Sequence, residues 1–443
     1  MPQPSSAKII FLTAGGAGMY CGSCMRDNTL VRNLLQQGWN IELVPAYTPI
    51  RTDEEDVSVD RVFLGGINVY LRQALPFFRL LPSWMLSWLD RPALIRRATA
   101  RQIPVNASEL GPLTLSVLEG DSGPLRQEHR KLAAWLQDEA RPALVNFTNL
   151  LIGGCIPLIR NKLPGVPILV TLQGDDLFIS QLVEPWKSRV IGKMRQLARQ
   201  VDRFITFSEF YADSMSELFD VPRSKFDLVP LGIELPEPSK TPRPERLSSP
   251  TVGFFARICP EKGFHHAVDA FIELARLPGM ERVKLRAGGW LGAGDRAFFE
   301  GQLAKLDGAG LRDQFEFVGS PDAEGKRAFF REIDLFSVPA DFKEPKGMYV
   351  LEALAAGLPV VQPAHGAFPE LLRDCPVATL VEPRNPKSLA LAWQRVLSSL
   401  STVDPRSGYE FVKSRATAER MARATGEIYR RELETACRLR EGS

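Results

Sequence analysis

The residue types best suited to chemistry lie in the stretch 339–357, PADFKEPKGMYVLEALAAG. Glu344 lies in a loop, Gly347 follows it, and an apolar helix then begins with Glu352 early in it. A glycine at this junction lets the backbone approach a ligand closely, and the first amides of a helix have no intrahelical partner. Such a helix start favours phosphate binding. Glu352 could then accept both hydroxyls of a ribose, and Glu344 could bind hydroxyls of a second sugar ring.

A second stretch supplies positive charge. Residues 253–263, GFFARICPEKG, place Arg257 and Lys262 between the end of a strand and the start of the next helix. Ligands of open α/β sheets bind at the carboxyl ends of strands, and a cation at a helix N-terminus is unfavourable without a nearby anion. Lys262 therefore predicts an anion, which a diphosphate between both cations and the Gly347 amides would supply. The alternatives are a solvated loop and a Glu352 that merely complements the helix dipole.

The elements that must position these residues are short apolar strands alternating with helices. The first series of strands comprises KIIFLT, IELV, ALVNF, PILVTL, RFITFS and FDLVP, at 8–13, 41–44, 143–147, 167–172, 203–208 and 226–230. Such alternation predicts a parallel sheet covered by helices on both faces. The same pattern restarts after residues 236–250, whose five prolines predict a linker.

The predicted fold class is therefore α/β, with two doubly wound parallel-sheet domains in tandem. The N-terminal domain is predicted over 1–235, the linker over 236–250 and the C-terminal domain over 251–405. A charged helical segment follows at 406–443, for which a return to the N-terminal domain stays open. A chain of 443 residues is long enough for two or three domains.

Composition excludes several classes of protein. The 55 Lys and Arg residues against 52 Asp and Glu residues leave a net charge of +3, which argues against nucleic-acid binding. Six scattered cysteines do not resemble a secreted disulfide framework. The N-terminus does not resemble a signal peptide, and no window approaches the roughly 18 apolar residues of a membrane span. The expected compartment is the cytoplasm.

The aromatic and basic segment 74–101 does not belong to a minimal doubly wound domain. It combines Trp84 and Trp88 with several arginines. One interpretation is an interfacial segment that contacts lipid or an amphiphilic acceptor, so that the protein is peripheral to the inner face of the membrane. The alternative is an inserted helical hairpin that packs its aromatic rings against the N-terminal domain.

These motifs resemble those of the retaining family 4 glycosyltransferases, which have the GT-B fold. Glu344 and Glu352, eight positions apart, resemble that family's E-x7-E element, and ARICPEKG resembles its GR(L)-x-x-EKG element. LEALAAGLPVV, KLRAGG, FEFVGS and IDLFSVPA also fall where the family has recurrent elements. The resemblance implies two Rossmann-like domains facing a cleft. It also implies retaining transfer of a sugar from a nucleotide-diphosphate donor to an acceptor hydroxyl on a glycan or lipid-linked molecule.

The resemblance also implies roles for individual residues. Arg257 and Lys262 would hold the diphosphate, Glu352 the ribose and Glu344 the transferred sugar. The remaining donor contacts would come from backbone groups and a glycine loop, namely Gly347, Met348 and Tyr349 for sugar and phosphate, Val318 and Gly319 for the base, and Gly15 and Gly16 after the first strand. No metal or other cofactor is expected, because Arg, Lys and helix amides would neutralise the leaving diphosphate.

Acceptor contacts are predicted at Gln173, Asp175, Arg26 and Asp27. The family commonly has a histidine near the reacting sugar where this chain has Gln173, in TLQGDD. Glutamine cannot act as a general base, although its amide can bind a sugar hydroxyl. For Arg26 and Asp27 the alternative is the start of a surface helix. Two smaller departures from the family are Ala256 before Arg257 and Leu231 before Gly232.

Other functions compete with this one. Cys21 and Cys24 form a C-x2-C motif, but no second pair at zinc spacing accompanies it, so a thiol pair lining the acceptor cleft is preferred to a metal or redox site. A dinucleotide-binding G-x-G-x-x-G would need glycine where Cys21 stands. The remaining alternatives are another GT-B enzyme, such as an epimerase or phosphorylase, and a nucleotide-sugar-binding scaffold without turnover.

Overall fold

The structure is a computed structural model that describes residues 7–15, 22–50, 52, 55–59, 62–63, 107–236, 249–402, 404 and 406–441. The chain divides into two compact units: unit 1 is Met1–Pro230 with Ala418–Ser443, and unit 2 is Leu231–Thr417. The segment 74–101 and most of the linker 236–250 lie outside the described residues, so the membrane contact stays a prediction. The segment 406–443 is divided between the two units.

Unit 1 has six described strands in one parallel sheet. They are β1 (Ile9–Thr13), β2 (Ile41–Pro45), β3 (Leu144–Phe147), β4 (Ile168–Thr171), β5 (Arg203–Thr206) and β6 (Phe226–Leu228), in the order β2-β1-β3-β4-β5-β6. Phe11 of β1 lies beside Leu43 of β2 and Asn146 of β3. Every residue of β1 is buried, as expected when helices cover both faces. The sheet grows in opposite directions from β1, so its switch point, where such sheets bind ligands, lies between β1 and β3.

Helices connect these strands. They are α1 (Gly22–Gln36), α2 (Ala107–Leu118), α3 (Arg126–Trp135), α4 (Ile156–Lys162), α5 (Asp175–Ser180), α6 (Trp186–Ala198) and α7 (Glu209–Phe219). A side chain just before a helix can accept hydrogen bonds from its first amides and so fix where the helix begins. At α7, for example, the Ser208 hydroxyl accepts a hydrogen bond from the Tyr211 amide at 3.2 Å, which satisfies one of the unpaired first-turn donors.

Unit 2 repeats the design. Its described strands are β7 (Thr251–Phe255), β8 (Lys284–Gly288), β9 (Phe315–Phe317), β10 (Leu335–Phe336), β11 (Val360–Pro363) and β12 (Ala378–Val381), all parallel, in the order β12-β11-β10-β7-β8-β9. Val252 of β7 lies beside Leu285 of β8 and Leu335 of β10. The switch point of this sheet therefore lies between β7 and β10.

The helices of unit 2 are α8 (Phe264–Ala275), α9 (Arg296–Gly308), α10 (Ala323–Arg331), α11 (Met348–Ala355), α12 (Phe368–Leu371), α13 (Pro386–Ser398) and α14 (Arg406–Arg415). Trp393 of α13 is fully buried, and α11 buries Val350, Leu351 and Leu354. These apolar faces cover the sheet. The predicted fold class, α/β with two doubly wound parallel-sheet domains, is confirmed.

The last helix, α15 (Ala418–Glu441), belongs to unit 1. Its Tyr429 is fully buried, and the ring meets that of Trp39 edge to face, with centroids 6.1 Å apart. Arg431 pairs with Asp227 at 2.6 Å. None of the helices in the described part of the chain is both long and apolar enough to cross a bilayer.

Removing the Tyr429 ring should destabilise unit 1, because it would leave a cavity where this ring now packs against Trp39. For Tyr429→Ala we expect a loss of about 3–5 kcal/mol in the free energy of unfolding, measured by urea denaturation. Leu439→Ala on the same helix is the control, since Leu439 is 70% exposed, and should change stability by about 0.5 kcal/mol or less. Equal losses in both variants would contradict this packing.

Candidate active site

Two loops of unit 2 meet at the switch point of its sheet. Nζ of Lys262, in the loop after β7, lies 2.6 Å from Oε2 of Glu344, in the loop after β10. Gly263 permits this approach: its φ is +71°, and a Cβ built there would lie 1.7 Å from the carbonyl oxygen of Pro339. The anion that Lys262 predicts at the start of its helix is therefore present in the chain itself, as the Glu344 carboxylate.

The Glu344 carboxylate is buried and held by three donors. Besides Lys262, the Tyr349 hydroxyl donates to Oε2 at 2.9 Å and the Lys346 amide donates to Oε1 at 3.4 Å. Burial by itself raises the pKa of Glu344, but the Lys262 charge and the hydrogen bonds from Lys262 and Tyr349 outweigh it and hold that pKa below its usual value. Burial and the Glu344 charge raise the pKa of Tyr349 well above normal. At neutral pH this is an ionised carboxylate beside a neutral phenol.

The start of α11 adds backbone donors to this cluster. Gly347 immediately precedes the helix with φ +85°, a conformation that suits glycine. The amides of Met348 and Tyr349 follow in the first turn, where α-helical amides have no intrahelical partner. Because Tyr349 also contacts Glu344, the structure brings the helix start, the carboxylate and Lys262 together. Amides and a cation at one point form an arrangement suited to a phosphate.

Arg257 supplies a second cation in the loop after β7. Its Nε donates to Sγ of Cys259 at 3.3 Å, and its Nη2 lies 3.7 Å from the Glu261 carboxylate. The Arg257 side chain is 38% exposed and so accessible to a ligand. Cys259 was not identified from the sequence, although it stands two residues after Arg257. Burial raises the pKa of its thiol, which keeps it protonated.

Glu352, in the second turn of α11, pairs with a residue that was not identified from the sequence. Nζ of Lys326, from α10, lies 2.6 Å from Oε1 of Glu352, and each side chain is about one-fifth exposed. The same Nζ lies 5.8 Å from the centre of the Phe255 ring at the end of β7. No motif signals this pair, because the two residues lie on different helices.

Val318 and Gly319 lie just beyond the end of β9. The Val318 amide donates to the Ala287 carbonyl at 2.9 Å, and the Gly289 amide donates to the Gly319 carbonyl at 2.6 Å. Both residues therefore lie at the carboxyl edge of the unit 2 sheet, beside β8. Their predicted contact with a base stays a prediction.

In unit 1, Asp27 collects donors from the ends of three strands. Its Oδ2 accepts the hydroxyls of Thr13, at the end of β1, and Thr148, after β3, at 2.8 and 2.5 Å. Its Oδ1 accepts Nε2 of Gln173, after β4, at 2.8 Å, and Nε2 also lies 3.0 Å from the Thr148 hydroxyl oxygen. The Gln173 amide group is thereby oriented at the switch point of the sheet.

Arg26 lies inside unit 1 with Asp27. Both side chains are fully buried, Nη1 of Arg26 donates to Oδ1 of Asp27 at 2.9 Å, and the guanidinium lies 4.7 Å from the Phe207 ring centre. The alternative interpretation of a surface helix start is therefore wrong. Gly15 has φ +90°, and a Cβ there would lie 2.0 Å from the Thr48 carbonyl oxygen. Gly16 and Cys21 lie outside the described residues.

Asp175 joins two loops of the same edge. Its Oδ1 accepts a hydrogen bond from the backbone amide of Leu150 at 2.9 Å, and its Oδ2 accepts one from the backbone amide of Gln173 at 3.4 Å. The side chain is 2% exposed, and burial raises its pKa to about 7 against the opposing effect of these amides. The four predicted acceptor residues thus form a buried layer at the end of the sheet, and contact between any of them and an acceptor stays a prediction.

One group of described side chains has the composition of a metal site. His265 and His266 of α8 and Asp341, in the loop before Glu344, have ligand atoms within 4.8 Å of one another. Asp341 is engaged by His266 at 3.2 Å and by Arg384 at 2.6 Å. His266 and Arg384 both contact Oδ1 of Asp341. The expectation that no metal is required stays a prediction.

Comparison with known proteins identifies the two halves of the chain. A family model described as Glycosyl transferase 4-like domain matches residues 28–232, and one described as Glycosyl transferases group 1 matches residues 249–399. The second match contains the Lys262–Glu344 pair and the start of α11.

Proteins with similar sequences are also named as glycosyltransferases. D-inositol 3-phosphate glycosyltransferase from Salinispora arenicola is 26% identical over 375 residues, which cover 76% of this chain and 79% of that protein. 2-deoxystreptamine glucosyltransferase from Streptomyces kanamyceticus is 27% identical over 270 residues, covering 57% and 68%. The structure of sucrose-phosphate synthase from Thermosynechococcus elongatus covers 97% of this chain and all of that one, with a TM-score of 0.69 at 18% identity. At that identity the likeness shows the fold.

Titration of Asp175 should make unit 1 less stable as pH rises. Between the ordinary carboxyl pKa of 3.8 and about 7, the folded state holds a proton that the unfolded state releases. The free energy of unfolding therefore falls with rising pH across that window. We expect Asp175→Asn to lack this fall, so its stability relative to the native chain should rise by about 1–3 kcal/mol from pH 4.5 to pH 8 in denaturant titrations. Parallel pH profiles would contradict the raised pKa.

Proposed function

We infer that this chain, which matches glycosyl transferase family models over residues 28–232 and 249–399, is a nucleotide-sugar-dependent group 1 glycosyl transferase of the family 4 type with the GT-B fold. From that premise we propose that it is a retaining enzyme that binds the diphosphate of its donor in unit 2. The observation that carries this proposal is the Lys262–Glu344 pair at 2.6 Å beside the start of α11. A cation, an ionised carboxylate and helix amides at one switch point provide groups for phosphate and for sugar hydroxyls together.

The cations and amides would stabilise the departing nucleoside diphosphate. Bond cleavage leaves additional negative charge on the diphosphate, and preorganised donors stabilise such charge without having to reorient. Arg257 offers a planar fork from the loop after β7, and Lys262 a point charge already oriented by Glu344. The backbone amides of Met348 and Tyr349 would donate further hydrogen bonds to the diphosphate. In this proposal no metal is needed for charge neutralisation.

Glu344 would bind the transferred sugar instead of attacking it. Three donors hold its two oxygens, and its lowered pKa keeps it ionised, so it can accept hydrogen bonds from sugar hydroxyls. A displacing nucleophile would have to lose these bonds. The acceptor hydroxyl would then attack the anomeric carbon from the face that the diphosphate leaves and pass its proton to the departing diphosphate oxygen, which retains the anomeric configuration.

The acceptor would be bound at the switch point of unit 1. Asp27 orients the Gln173 amide there through a bond of 2.8 Å. The names of two relatives specify D-inositol 3-phosphate and 2-deoxystreptamine, both polyhydroxylated six-membered rings. We therefore propose a ring polyol as the chemical class of acceptor, free or as part of a glycan or lipid-linked molecule.

Removing the Lys262 charge should reduce both donor binding and turnover. For Lys262→Ala we expect a fall in kcat of about 10²-fold or more, because the leaving group loses a preorganised cation and Glu344 loses its partner. Isothermal titration with UDP, GDP and ADP, followed by their common sugar conjugates, measures binding, and release of nucleoside diphosphate with ring polyols measures transfer.

Lys305→Ala is the matched control. Lys305 pairs with Asp269 on the exposed surface of the same unit, so this variant removes a similar ion pair away from the site. Native turnover in a folded Lys262→Ala variant would contradict the site assignment. Donor binding without transfer to any acceptor would favour a scaffold, and a product still attached to the nucleotide would favour an epimerase.

The stereochemistry of the product tests the retaining mechanism separately. With an α-linked nucleotide sugar as donor, we expect an α-linked product, because attack and departure share one face of the ring. Proton NMR of the anomeric signal during the first turnovers distinguishes the two anomers. A β-linked product would rule out retention but leave the donor site in place.

A further inference from the structure

Lys326 is the polar partner of Glu352 within the described residues. Its Nζ lies 2.6 Å from Oε1 of Glu352, and Oε2 of the same carboxylate makes no hydrogen bond with a described residue. The two side chains come from different helices, α10 and α11, and about one-fifth of each is exposed. The carboxylate is therefore anchored through one oxygen and open at the other.

This ion pair contributes little to folding. Single ion pairs that are partly exposed to water add little to protein stability. Its position is more informative than its strength. Lys326 also lies 5.8 Å from the Phe255 ring at the end of β7, the strand whose following loop carries Arg257 and Lys262. The pair thus lies at the carboxyl edge of the sheet, on the same side as the proposed diphosphate site.

We propose that Lys326 is a positioning residue that gives the enzyme its preference for ribonucleotide donors. The inference rests on the proposed function and on the ribose-binding role that the family resemblance implies for Glu352. With Oε1 held by Lys326, Oε2 is the atom left to accept a ribose hydroxyl. Lys326 does this by fixing the side chain of Glu352, so that Oε2 is already oriented when the nucleotide binds. A hydrogen bond to a charged acceptor is strong enough to select for the hydroxyl that makes it.

The opposite role predicts the opposite result. If Lys326 merely covered Glu352 in the free enzyme, a donor would have to displace it, and removing Lys326 would strengthen binding. If Lys326 positions Glu352, removing it weakens binding, and only for nucleotides that carry the hydroxyl. The sign of the change and its dependence on the hydroxyl therefore separate the two roles.

The test compares nucleotides that differ by one hydroxyl. The nucleoside diphosphate that binds the native enzyme most tightly is titrated calorimetrically beside its 2′-deoxy and 3′-deoxy forms. We expect the native enzyme to prefer the ribonucleotide to at least one deoxy form by about tenfold or more. Lys326→Met should weaken ribonucleotide binding about five- to tenfold and reduce that preference to less than threefold. Lys326→Arg, which keeps the charge, should retain most of the preference.

Arg327→Met is the matched control. Arg327 is exposed on the same helix, so the variant removes one positive charge at the neighbouring position and should keep both the affinity and the preference. Thermal unfolding of each variant shows that unit 2 is intact, and the weak ion pair makes that the expected result. The same measurement after Glu352→Gln should show the loss of preference without further loss on adding Lys326→Met.

Each outcome bears on the inference. Unchanged preference in Lys326→Met would overturn it, and tighter ribonucleotide binding in that variant would establish displacement instead of positioning. Equal binding of ribo and deoxy forms by the native enzyme would also overturn it, while leaving the diphosphate site in place. Failure of the native enzyme to bind any nucleoside diphosphate would remove the proposed function, and the inference with it.

Discussion

The ion pair between Lys262 and Glu344 is the interaction on which the candidate active site depends. It joins the loops that follow β7 and β10, the two strands at the switch point of the unit 2 sheet. Removing one partner would leave the other charge largely buried and uncompensated, which costs more than the pair contributes when intact. The close approach at Gly263 and the helix start at Gly347 serve the same geometry, because a Cβ at the first position would collide with the opposite loop.

Unit 1 also has a buried carboxylate at the switch point of its sheet, but different side chains bind it. Asp27 is a fully buried carboxylate, and the Arg26 guanidinium, two threonine hydroxyls and the Gln173 amide together satisfy it. Charges so far from water persist only when paired and hydrogen-bonded. The result is a rigid layer that orients Gln173, and Asp175 then attaches the loop after β3 to the loop after β4. In each unit a carboxylate fixes the loops at the switch point of the sheet.

Much of the fold could be predicted because it follows from local patterns. Short β-branched and apolar runs bounded by helices predict a covered parallel sheet, and both sheets are of that kind. The sequence also predicted that Gly347 precedes an apolar helix and that Lys262 needs an anion. It did not identify the Glu344 carboxylate as that anion. Glu344 was predicted as a sugar-binding group, and its second role as the partner of Lys262 across 82 positions became visible once the loops were placed together.

The sequence by itself determined the elements and the chemical types at their ends, since backbone propensity, glycine geometry and apolar periodicity act over a few residues. The tertiary structure decided which side chains are partners. Asp27 meets Thr148 and Gln173 across 121 and 146 positions, and Lys326 meets Glu352 across two helices. These pairings depend on the order of strands in each sheet and on the packing of helices upon it. The number of positions between two residues does not show whether they are in contact, because hydrogen bonds and ion pairs depend on distance in space.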